Sequence, residues 1–216
     1  MNLILLGPPG AGKGTQSKRV SKNFNLIQIS TGDLLRNEIK LETELGKEIE
    51  SLINYGSLIS DNIVNKLIEK TILNHKNFNK FIFDGYPRTI PQIKSLENLL
   101  TKSKQKISVV ISLNVERETI IKRINGRIAC NSCNRIFNLY FDPPNKENHD
   151  CDEKHLTKRS DDNSKVLINR FETYMFKTKP VLDYYKKLGL IKEIDGNRKI
   201  DEIYNKISDI LANIRD

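Results

Sequence analysis

Gly7-Pro8-Pro9-Gly10-Ala11-Gly12-Lys13-Gly14-Thr15 decides how this chain reads. Before it stands Leu3-Ile4-Leu5-Leu6, a short continuous apolar run with the signature of a buried strand; after it the pattern turns helical from about Lys13 to Asn23. Strand, glycine-rich loop and helix, in that order, form the setting of a phosphate-binding loop. Backbone N–H groups cradle phosphate oxygens, the helix N-terminus adds its dipole, and Lys13 supplies a positive charge. A glycine turn beside a solvated lysine is the plainer reading, and the strand and helix on either side argue against it. The general pattern carries Ser or Thr directly after the lysine as a Mg²⁺ ligand. Here Gly14 takes that place and Thr15 follows, so the metal is expected to rest more on nucleotide phosphates and water.

Outward from the loop, short apolar runs keep alternating with helical stretches. Leu26-Ile27-Gln28-Ile29 reads as a second strand, ended by Ser30-Thr31-Gly32-Asp33. Segments 33–42 and 45–55 read as helices with Gly46 and Gly56 near their boundaries, and Ser60 or Asp61 can cap a helix running to about His75. Phe81-Ile82-Phe83 is a third buried strand, stopped by Asp84-Gly85-Tyr86-Pro87. A helix over 91–103 with Pro91 in its first turn, a strand over 107–113 and a helix over 116–124 follow. From Gly126 to His155 the texture changes to Asn, Cys, Asp and Pro without helical period, which predicts a small β-rich or irregular insertion. Asp161-Asp162-Asn163 favours a helix start. That helix is predicted to run to about Lys187 with a kink at Pro180. A short strand over 191–194 and an amphipathic helix over 200–214 close the chain, the stripe Ile203, Ile207, Ile210, Leu211 and Ile214 serving core packing. The pattern predicts an α/β fold, a parallel five-stranded sheet flanked by helices. Ligands of such sheets bind at the carboxyl ends of the strands.

A second signal lies at one of those ends. Asp84 directly follows the third strand and can orient Mg²⁺ through water, and Arg88 is placed to meet a phosphate. Alone, Asp-Gly-x-Pro is a turn; beside a phosphate loop it becomes part of a site. The 216 residues, 38% apolar and 29% charged, are enough for one core domain with small inserted lobes and do not describe a disordered tail. No window approaches a membrane span, and Met1 to Leu6 is too short for a signal-peptide core, so neither membrane insertion nor export is expected. The net charge of +9 fits an anionic partner, although most of the lysines read as a solvated surface. Three cysteines, all between 130 and 151, do not make a disulfide framework and fit a local metal site in a reducing compartment.

Gly7–Thr15, Ser30-Thr31-Gly32-Asp33, Asp84-Gly85-Tyr86-Pro87-Arg88, Gly126-Arg127 and Arg159-x-Asp161-Asp162 follow one another as in adenylate kinases, and the chain resembles the long form of that family, with a large lid. The resemblance covers essentially the whole chain. It implies a core of 1–29, 60–125 and 163–216, a nucleoside-monophosphate lobe at 30–59 and a β-rich lid at 126–162. It implies that Gly10, Ala11, Gly12, Lys13, Gly14 and Thr15 hold the ATP phosphates, met by Arg123 and Arg127. Ile136 and Phe137 would flank the adenine of ATP, and Arg198 would touch it. AMP would be held by Thr31, Arg36, Ser57, Leu58, Ile59, Gly85, Tyr86, Pro87, Arg88 and Gln92, with Gln92 reading the adenine edge. Arg159 and Arg170 would approach AMP and the transferring group.

The chemistry agrees with that likeness. AMP phosphate is already an anionic nucleophile, so transfer asks mainly for alignment and for neutralising charge. Lys13, Arg36, Arg88, Arg123, Arg127, Arg159 and Arg170 can supply this, arginines brought in by closing lobes being worth roughly 10³-fold or more each by comparison with arginine fingers. Cys130-Asn131-Ser132-Cys133 has zinc-knuckle spacing, and Cys151 follows. In long-lid relatives a second pair completes such a site, but the position three after Cys151 is Lys154, a cation. Asp152, Glu153, His155 or His149 can give the fourth ligand, with His155, or alternatively Asp152, the best placed. Structural zinc in the lid and Mg²⁺ on the nucleotide are therefore the expected metals. The expected partners are ATP, AMP and ADP, with no nucleic acid and no membrane, for a monomeric cytoplasmic enzyme. A kinase for another monophosphate is one rival. A zinc-containing nucleic-acid binder is another, disfavoured by scattered basic residues and the absence of an aromatic-interleaved motif. A third is an ATPase, which would hydrolyse ATP without an acceptor.

Overall fold

Strand β1 (Leu3–Leu6) is apolar at every position because both of its faces are covered. Ile4 and Leu6 face one cluster and Leu3 and Leu5 the other, as period-two geometry requires. The computed structural model describes residues 1–74 and 80–215; the expected end of the fourth helix at His75 lies outside them. After β1 come α1 (Lys13–Phe24), β2 (Ile27–Ser30), α2 (Thr31–Lys40), α3 (Glu44–Tyr55), α4 (Asp61–Asn74), β3 (Phe81–Asp84), α5 (Ile90–Lys102), β4 (Val109–Asn114) and α6 (Arg117–Asn125). The remainder is β5 (Arg127–Cys130), β6 (Ile136–Asn138), β7 (Leu156–Thr157), α7 (Ser164–Thr173), α8 (Lys179–Lys187), β8 (Ile191–Asp195) and α9 (Ile200–Arg215).

Five strands form one sheet in the order β2-β3-β1-β4-β8, parallel throughout. Ile68 of α4, Ile93 and Leu96 of α5, and Val181 and Tyr185 of α8 cover one face. Val20 of α1 and Ile203, Ile207 and Leu211 of α9 cover the other. The predicted α/β sheet is therefore the observed one. The carboxyl ends of β1, β2 and β3 lie side by side, with Leu5 opposite Asp84 and Ser30 opposite Asp84 in register. The loop after β1 and the turn after β3 are brought together by that pairing. The insertion between α6 and α7 is built on a second, antiparallel sheet, β6-β5-β7.

Most element ends lie within two residues of the sequence reading, and three features depart from it for a local reason. Helix α2 starts at Thr31 rather than Asp33, because the Ser30 hydroxyl accepts from the Asp33 N–H at 3.3 Å and caps it. Asn163 caps α7 through the Val166 N–H at 3.0 Å, so the acidic pair at 161–162 lies just outside the helix. The expected kink at Pro180 is a widened π-helical turn over Tyr174–Thr178, with Pro180 in the first turn of α8. Proline cannot donate to the preceding turn and its ring crowds it, and the wider turn relieves both.

Candidate active site

The loop between β1 and α1 turns at Gly12, whose φ of 89° is costly for any residue with a Cβ. The N-cap residue of α1 is Gly12, which has no side chain to cap it, so the first N–H groups retain the capacity to bind an anion. Lys13 Nζ folds back on the loop and donates to the carbonyls of Gly7 at 2.8 Å and Pro8 at 2.9 Å. Burial pushes the Lys13 ammonium down to about 8. The Asp84 carboxylate opposes this, and Arg88, Arg127 and Arg170 add to it.

Asp84, at the end of β3, is buried. Its Oδ2 accepts from the Ser17 hydroxyl at 3.0 Å and from Gln28 Nε2 at 3.2 Å. Burial pushes its carboxyl pKa up, against the pull of Lys13 and Ser17. A desolvated carboxylate at the mouth of a phosphate loop suits a divalent cation, which would relieve the cost of its charge. Ser17 and Gln28 were not singled out from sequence; their approach to Asp84 is made by α1 and β2 closing on β3.

Behind Asp84, Gly85 has φ of 75°, and a Cβ there would stand 2.9 Å from the Arg88 guanidinium. The Gly85 carbonyl accepts from Arg88 Nε at 2.8 Å and from the buried Thr31 hydroxyl at 2.9 Å. The backbone of Arg88 is held at both polar groups. Its N–H donates to Gln92 Oε1 at 2.7 Å, and its carbonyl accepts from Thr178 Oγ1, on the widened turn, at 3.1 Å. Burial lowers Arg88 to about 10, helped by the nearby charges of Arg170 and Arg36. Tyr86, Pro87 and Gln92 are buried; Ser57 and Leu58 are half-buried and Ile59 is part of the core. Arg36 pairs with Asp33 one turn earlier on α2.

The remaining arginines reach the same region from other elements. Arg127, opening β5, pairs with Asp162, and Arg170 on α7 pairs with Asp161. Asp161 would be pushed up by burial, but Arg170, Arg127, Arg159 and Arg36 hold it below the ordinary carboxylate range. Arg159 is lowered to about 10 by burial and by the charges of Arg127 and Arg36. Arg123 on α6 donates to the carbonyls of Ala11 at 3.3 Å and Gly196 at 2.7 Å. The expected adenine contacts stand further out. Arg198 is exposed and paired with Asp195 and Glu202. Ile136 is half-buried, and Phe137 is buried inside the insertion with its ring edge-on to His149 at 5.0 Å.

The insertion gathers a metal-ligand set. The sulfurs of Cys130, Cys133 and Cys151 and a ring nitrogen of His149 lie within 4.8 Å of one another. The fourth member is thus His149 in place of the expected His155, or of the alternative Asp152. His155 sits in a short 3₁₀ turn where its carbonyl accepts from Asn131 N–H, and Asp152 is engaged by Lys154. Among the described residues His149 Nε2 is buried with no hydrogen-bond partner, a state costing about 1–3 kcal/mol unless something binds it. Burial pushes Cys130 up, but the Cys133 N–H and neighbouring donors outweigh it and hold the thiol at about 6, towards the thiolate a metal requires. Three thiolates and one imidazole fit zinc, and four protein donors leave no open position for catalysis. The one sequence cue for His149 was its place two residues before Cys151. The loop over 143–150, tied by Asn148 to Pro143 and Asn145, is what carries it back.

No helix among the described residues is long and apolar enough to cross a membrane. The sequence profile of the family described as adenylate kinase matches residues 5–190. An adenylate kinase of Pelagibacter ubique is 50% identical over 211 residues, covering 98% of this chain and 99% of its own. One from Methanothrix thermoacetophila is 42% identical over 214 residues, covering 98% of this chain and 99% of its own. One from Archaeoglobus fulgidus is 39% identical over 217 residues, with both chains fully covered. Sheet order, phosphate loop, arginine cluster and full-length likeness agree, and the chain belongs to the adenylate kinase family.

Proposed function

We propose that this site transfers the terminal phosphoryl group of Mg·ATP to AMP, reversibly, giving two ADP. The observation that carries the reading is the convergence of Lys13, Arg36, Arg88, Arg127, Arg159 and Arg170 on one region, where burial, and after it the charges of neighbouring arginines, lowers Lys13, Arg88 and Arg159. Like charges so gathered are stabilised by a polyanion. ATP phosphates enter the loop 10–15 and Lys13 leaves the Gly7 and Pro8 carbonyls for them. Arg88 and Arg36 hold the AMP phosphate, whose oxygen attacks in line. Arg123, Arg127, Arg159 and Arg170 neutralise the moving group, Arg123 released from its carbonyl partners and Arg127 and Arg170 from their aspartates towards phosphate. Asp84, with the nucleotide phosphates and water, would hold Mg²⁺, which would supply neutralisation of phosphate charge. Segments 30–59 and 126–162 act as closing lobes that exclude water and so suppress hydrolysis. The chain serves adenine nucleotide balance as a cytoplasmic monomer.

Supplying Mg·ATP with AMP, GMP, CMP or UMP in turn, and separating the products, tests the reading. ADP accumulates with AMP, and the other acceptors react at least about 100-fold more slowly. Equal turnover with another monophosphate would overturn the assignment of AMP.

The lid metal is proposed to be zinc held by Cys130, Cys133, His149 and Cys151. It crosslinks a small unit with little apolar core of its own. Removing it with a chelator is expected to lower the melting temperature by several degrees, roughly the effect of 1–3 kcal/mol in a chain of this size. Metal analysis gives one zinc per chain; His149→Ala loses it and His155→Ala keeps it. Retention of zinc by His149→Ala would refute the ligand set.

A further inference from the structure

We propose that Asp61 determines specificity for the acceptor base by fixing which way the Gln92 amide points. The inference rests on the reading above, in which Gln92 faces the adenine of AMP. Gln92 is 2% exposed, and both ends of its amide are already engaged. Nε2 donates to Asp61 Oδ1 at 2.7 Å, and Oε1 accepts from the Arg88 N–H at 2.7 Å. These two neighbours have opposite and fixed polarity. A carboxylate only accepts and a backbone N–H only donates, so a flipped amide would oppose like to like at both ends. Asp61 is itself held, because its Oδ2 accepts from Thr89 Oγ1 at 2.9 Å and Thr89 also caps the helix that carries Gln92.

A primary amide has two N–H donors and two acceptor lone pairs. Asp61 and Arg88 take one of each, which leaves one N–H and one lone pair in a set order. Adenine presents a donor at its 6-amino group and an acceptor at N1, and an amide in one sense pairs with both. Hypoxanthine reverses that order on the same ring, with an acceptor at O6 and a donor at N1. It needs the flipped amide. The sense of the Gln92 amide therefore separates the two bases, and Asp61, the first residue of α4, enforces that sense without touching the nucleotide.

The test measures kcat/KM for AMP and for inosine monophosphate, with Mg·ATP as donor. The proteins compared are the full-length enzyme, Asp61→Asn, Asp61→Ala and Gln92→Ala. Asparagine keeps the shape of Asp61 but accepts or donates as its own amide turns, so one of the two constraints on the Gln92 amide is lost and only the Arg88 N–H still opposes a flip. Alanine removes the acceptor and covers the case in which Asp61→Asn does not fold. The AMP-to-inosine-monophosphate ratio is expected to fall about tenfold or more in both Asp61 variants, through KM for the monophosphates, with KM for ATP unchanged. If Gln92→Ala collapses the ratio while both Asp61 variants keep it, the amide is oriented without Asp61 and the proposal fails alone. If Gln92→Ala leaves the ratio intact, Gln92 does not read the base, and the reading beneath the proposal fails with it.

Discussion

Lys13→Met is expected to lower turnover by about 10³-fold or more, with the folded state intact. Among the described residues the side chain bonds to the carbonyls of Gly7 and Pro8, and it belongs to neither of the apolar clusters that cover the sheet. Its charge is held near the edge of ionisation, at about 8, by burial among arginines. That predicts a signature separate from the rate. Nucleotide phosphates favour the ammonium form and raise its pKa, so binding takes up a proton wherever the free protein has lost one. Uptake is therefore expected above pH 8, approaching roughly one proton at pH 9, and little at pH 6.5. Calorimetry of ATP binding in two buffers of different ionisation enthalpy reads it directly, and Lys13→Met abolishes it. Near-normal turnover in the variant, or equal uptake at the two pH values, would remove Lys13 from the site.

Arg88→Ala is expected to lower kcat/KM for AMP by about 10²–10³-fold while KM for ATP stays within about threefold. The guanidinium is placed by Gly85 and by two clamps on its own backbone, from Gln92 and Thr178, none of which belongs to the phosphate loop. Arg88→Lys recovers little, since a point charge does not reproduce the planar fork. Initial-rate kinetics with each nucleotide varied in turn measure the split, and equal loss on both sides would contradict the role.

What the sequence made legible was whatever is local. The phosphate loop is contiguous, and its apolar strand and following helix can be read from period alone. The sheet order then brings Asp84 beside it through the pairing of β1 with β3. What was hidden travels through tertiary contacts. Asp61 reads as a helix cap, because its bond to Gln92 spans thirty-one positions and joins two helices. Ser17 and Gln28 reach Asp84 from separate elements. His149 enters the cysteine cluster by the path of an irregular loop that no spacing rule describes, whereas Cys130 and Cys133 sit at the familiar two-residue interval. The aspartates that engage Arg127 and Arg170 stood in a recognised motif, but their pairing could be seen only in three dimensions.

The central claim is that the phosphoryl group passes to AMP and not to water. Incubating the protein with Mg·ATP, with and without AMP, and counting ADP and inorganic phosphate decides it. Two ADP per AMP consumed, with inorganic phosphate negligible in both reactions, is the expected result. ATP lost to ADP and phosphate at a comparable rate without AMP would contradict it.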